Sequence, residues 1–81
     1  MKVRILYFAS FRDAAGKAAE ERELPEGTRV IDLWETLARE IPALSRYQKM
    51  PVAAVNRLST VGYQALEDGD EVAYLPPVAG G

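Results

Sequence analysis

At 81 residues the chain is long enough for one domain with a single small core, and 48% hydrophobic with 27% charged residues places it among ordinary folding sequences, not disordered ones. Twelve acids against ten bases give a net charge of -2, and the Lys and Arg residues are scattered singly, so there is no basic footprint for nucleic acid. Cys and His are both absent, which removes disulfides, thiolate and imidazole metal ligands and the cysteine nucleophile.

Lys2 to Ala9 reads as a strand with Val3, Ile5 and Tyr7 toward the core and Arg4, Leu6 and Phe8 on the other face. Its apolar run, Ile5 to Ala9, is far too short to cross a membrane or form a signal-peptide core, so the expected location is cytoplasmic, without membrane attachment. Ser10 is expected to cap a short helix, with Asp13 at the capping-box position and Gly16 as its left-handed stop. Ala19 to Leu24, with Glu20, Glu21, Arg22 and Glu23 in succession, reads as a solvated edge strand ahead of the Pro25 and Gly27 turn. Val30, Leu33, Trp34, Leu37, Ala38 and Ile41 recur at helical spacing; Thr28 is the expected cap, Glu35 and Arg39 an exposed pair, and Pro42 the stop.

Ala43 to Met50 has no clean period, leaving Leu44 and Tyr47 as anchors of an irregular connection. Val52 to Val55 suits a buried strand and Leu58 to Val61 a brief edge strand. Glu67, Asp68, Asp70 and Glu71 lack the spacing of a calcium loop and read as a solvated turn, with no metal expected; Arg12 reads as a surface residue. Glu71 to Leu75 is the last strand, with Val72 and Tyr74 on one face and Ala73 and Leu75 on the other. The pattern is α+β, a mixed sheet packed on one main amphipathic helix in the β-grasp (ubiquitin-like) arrangement, whose first and last strands run parallel side by side.

The chain then divides into a domain over 1–75 and an extended tail over 76–81, Pro76-Pro77-Val78-Ala79-Gly80-Gly81. The prolines favour an extended path, six such residues reach roughly 20 Å, and Gly80 and Gly81 present a terminal carboxylate through a narrow slot. Leu6, Phe8 and Leu75, with Leu58 joining them, are apolar residues that alternation turns away from the core, and they form the expected partner-binding surface.

The stretch GDEVAYLPPVAGG, Gly69 to Gly81, resembles the end of the molybdopterin synthase small-subunit family. Phe8-Ala9, Arg12, Gly16 and Ala53-Ala54-Val55-Asn56 agree in order, so the likeness covers nearly the whole chain. It implies a sulfur carrier without an active site of its own. By that resemblance Gly81 is expected to be adenylated by a separate ATP-dependent activating enzyme and converted by a sulfur donor protein to a thiocarboxylate. The tail then enters the large catalytic subunit, within an expected heterotetramer, and gives sulfur to a cyclic pyranopterin precursor. No cofactor is expected on this chain, which carries no phosphate-binding glycine motif. Carriers for thiamine or tRNA thiolation, which share the fold, and a ubiquitin-like protein modifier remain the alternatives.

Overall fold

The computed structural model describes residues 1–45 and 50–76. Five strands form one sheet: β1 (Lys2–Tyr7), β2 (Ala19–Glu23), β3 (Val52–Val55), β4 (Leu58–Thr60) and β5 (Glu71–Leu75), in the order β2-β1-β5-β3-β4. β1 and β5 pair in parallel at the centre, with Tyr7 opposite Tyr74, and every other pairing is antiparallel. This is the expected β-grasp sheet. Tyr47 and the tail residues Pro77 to Gly81 lie outside the described residues.

Alternation decides the two faces. Val3, Ile5, Tyr7, Ala53, Val55, Val72 and Tyr74 are buried, and helix α2 (Val30–Glu40) lays Val30, Leu33, Trp34 and Leu37 onto them. The Trp34 ring lies between Phe11 and Tyr74, with centroids 5.4 and 5.2 Å away, and such pairs add about 0.5–1.5 kcal/mol beyond their area. Fully buried Tyr74 donates its hydroxyl to the Val30 carbonyl at 2.8 Å, tying the last strand to the first turn of α2.

Both helix starts differ from expectation. Helix α1 (Ala9–Ala15) is capped by Phe8, whose carbonyl accepts from the N–H groups of Phe11 and Arg12, so Ser10 already lies in its first turn and cannot cap it; Gly16 ends the helix at φ 76° as expected. At α2 the cap is Arg29, not Thr28. The Asp32 carboxylate accepts the Arg29 backbone N–H at 2.9 Å and its guanidinium at 2.9 and 2.8 Å, while the Thr28 hydroxyl donates to the Pro25 carbonyl. That fork holds the Asp32 carboxyl down at about 2. Arg39 donates to Thr36 rather than pairing with Glu35. Pro42 opens a single 3₁₀ turn (Pro42–Leu44) that buries the expected anchor Leu44.

The turns explain the polar motifs. Asn56 and Arg57, at φ 52° and 73°, form the two-residue turn joining β3 to β4, a type I′ geometry that matches strand twist. Asn56 donates to Asp70 and accepts from the Glu71 N–H, each at 2.9 Å. Asp70 accepts from the Glu67 N–H and Asp68 from the Lys2 N–H, both at 2.7 Å. The acidic cluster is therefore turn structure, and no metal-ready group occurs among the described residues.

A half-buried ionic clasp closes the β2 side of the core. Tyr7 donates its hydroxyl to Glu20 at 2.5 Å, and Arg22 bridges Glu20 at 3.3 Å and Glu40 at 2.8 Å, joining β2 to the end of α2. Burial and the Glu20 bond push the Tyr7 phenol up. Burial opposes the Glu20 anion, but the Tyr7 hydrogen bond and the Arg22 charge outweigh it and hold the carboxyl below its ordinary 4.5. A lowered folded-state pKa means the clasp stabilises the fold above the ordinary value and loses that contribution as pH falls through and below it. Thermal melts should therefore drop more steeply with acidification below about pH 4.5 in the wild type than in Glu20→Gln; equal slopes would remove the clasp's role.

Candidate docking face and tail root

The sheet surface opposite α2 is built by register. With Tyr7 beside Tyr74, the next residues out, Phe8 and Leu75, are neighbours, and Leu75 pairs with Val52. One step beyond the Ala53–Thr60 pair, Val61 falls beside Val52. Phe8, Leu75, Val52 and Val61 thus form an apolar row across four strands at the end where Pro76 leaves the sheet, each 37–63% exposed. A second row, Ala19, Leu6, Ala73, Ala54 and Ser59, is flat because its side chains, apart from Leu6, are small. The third row turns polar: Arg4 lies between Glu21 and Glu71, with its Nε 3.8 Å from the Glu71 carboxylate. The face is apolar at the tail root and charged away from it. Exposed apolar groups gathered in one patch mark interaction surfaces.

Of the four surface residues expected from sequence, Leu6, Phe8 and Leu75 share this face. Leu58 does not. It pairs with Val55, whose side chain is buried under the helix, so Leu58 points to the helix side of the sheet although it is 73% exposed. The two-residue turn sets that register, which no local pattern announces. Val52 and Val61 were not expected there. The sequence predicts a buried strand at Val52, yet Val52 is 63% exposed, because Val52-Ala53-Ala54-Val55 is apolar on both faces and its alternation is silent. The expected tail, apart from Pro76, lies outside the described residues.

No described helix is long and apolar enough to cross a membrane. A groove of about 580 Å³ lies beside α2, lined by Ile31, Trp34, Ala38 and Met50 among others, and its Ile31 and Met50 side chains lie close to Gly62, which follows Val61.

Comparison with known proteins assigns the lineage. The model of the ThiS family matches residues 5–81. The chain belongs to the ThiS family. Within its reach, the chain is 39% identical over 83 residues to the molybdopterin synthase sulfur carrier subunit of Chlamydomonas reinhardtii, covering all of both chains. Among solved structures, a Pyrococcus furiosus protein provisionally assigned as molybdopterin converting factor, subunit 1, is 37% identical, with a TM-score of 0.85 over 96% of this chain and 99% of that one. The small archaeal modifier protein 1 of Haloferax volcanii is 26% identical, with a TM-score of 0.81 over 95% and 98% of the two chains.

Proposed function

We propose that this chain is the sulfur carrier subunit of a molybdopterin synthase. The observation that carries the reading is the end-to-end likeness, at 39% identity, to a carrier of that name, and it is supported by the exposed apolar row at the tail root. The chemistry belongs to the terminus. An oxygen of the Gly81 carboxylate attacks the α-phosphorus of ATP on a separate activating enzyme, and pyrophosphate leaves. A persulfide sulfur of a donor protein then attacks the acyl carbon; the C–S bond forms and the C–O bond to AMP breaks, after which a thiol attacks the donor's inner sulfur, the S–S bond breaks, a disulfide is left on the donor side and the thiocarboxylate is released. The stiff Pro76-Pro77 stem carries it into the large catalytic subunit, where its sulfur passes to a cyclic pyranopterin precursor.

The body contributes docking, not catalysis. Leu6, Phe8, Leu75, Val52 and Val61 meet the large subunit, and Arg4, Glu21 and Glu71 form the polar rim. No cofactor binds this chain, ATP is consumed on the activating enzyme, and the process is cytoplasmic. Mixing the sulfur-loaded chain with the large subunit and the precursor should yield dithiolene product in proportion to the chain supplied; loaded chain that gives none with a competent large subunit would refute the assignment.

A second reading, a protein modifier joined through Gly81 to lysines, is favoured by the likeness to the small archaeal modifier protein. It predicts higher-mass conjugates in the presence of activating enzyme and ATP, which a dedicated carrier does not form.

A further inference from the structure

Ala9 is the first residue of α1, two residues after β1 ends, at the edge of the apolar row. Its φ of 50° lies in the left-handed region, where a Cβ crowds the following carbonyl. The turn itself has a use. Phe8 ends the strand extended, at φ -122° and ψ 149°, and stays on the outer face, while Phe11 three residues on is buried against Trp34 at 5.4 Å. Glycine would make this turn without strain, as Gly16, Gly27 and Gly69 do at φ 76°, 86° and 88°. The other described non-glycine residues with positive φ, Asn56 and Arg57, belong to the hairpin turn, whose geometry requires it.

At Ala9 the methyl is carried against the backbone preference, yet the residue is exposed and the methyl fills no part of the core. A methyl held at positive φ yet left exposed, next to Phe8, points to a group used outside the domain. We infer that the Ala9 methyl is a docking contact, seated with Phe8 in one apolar hollow of the large subunit, and that its restricted backbone holds Phe8 ready to dock. The inference rests on the proposed docking of this face onto the large subunit.

The test compares the wild type, Ala9→Gly and Phe8→Ala by titration calorimetry against the large subunit, with thermal melts of each chain alone. Ala9→Gly should melt at or above the wild type, because strain is relieved. It should nevertheless bind about three- to tenfold more weakly, having lost a buried methyl and a preorganised joint. Phe8→Ala should bind about thirtyfold more weakly or worse. Unchanged binding of Ala9→Gly beside a weakened Phe8→Ala overturns this inference and leaves the docking face standing. Unchanged binding of both overturns the two together. A loss in Ala9→Gly that merely tracks a lower melting point makes Ala9 a folding residue and also overturns it.

Discussion

Phe8→Ala should weaken large-subunit binding by about 2 kcal/mol or more while changing monomer stability by at most about 1 kcal/mol, and Tyr7→Ala, one residue away, should do the reverse. The difference lies in the faces of β1. Phe8 is 43% exposed at the tail root, whereas Tyr7 is 3% exposed and bound through its hydroxyl to Glu20. Truncating so buried an aromatic leaves a cavity and an unpartnered clasp, a loss of about 3–5 kcal/mol that brings an 81-residue domain close to unfolding. Calorimetric titration and thermal melts of the two variants check the contrast. Equal melting-point losses would refute the assigned faces.

Deleting Gly81, or adding one residue after it, should abolish sulfur loading completely and leave the melting point of the domain unchanged. In the proposed chemistry the reacting group is the carboxylate of the last residue, so either change moves it out of the activating enzyme's reach or replaces it with an amide. Folding should be indifferent because the buried aromatic and aliphatic residues among those described run from Val3 to Tyr74, ahead of the tail. An extended chain that still accepts sulfur without being trimmed would sink the proposed chemistry.

Most of the fold was legible because β1, α2 and β5 carry clean periods. Val3, Ile5 and Tyr7 alternate, Val30 to Leu37 follow a helical stripe, and all of them are buried as expected. Caps were less legible. Thr28 is a good cap by type, but its hydroxyl found the Pro25 carbonyl, and Arg29 capped the helix through a long-sided fork to Asp32 that propensity does not anticipate. The exposed apolar row was half legible. Alternation within one strand found Leu6, Phe8 and Leu75, whereas Val52 and Val61 depend on pairings between residues far apart in sequence, and Leu58 depends on the register set by the Asn56-Arg57 turn. The positive φ of Ala9 leaves no trace in residue type at all, since alanine is the wrong residue for it.

Intact-mass spectrometry of the chain after incubation with its activating enzyme, ATP and a sulfur donor tests the central claim most directly. The account predicts a single product in which one sulfur replaces one oxygen, assigned by fragmentation to Gly81, and dependent on ATP. An unchanged mass with an activating enzyme that loads another carrier, or conversion only to conjugates of higher mass, would contradict it.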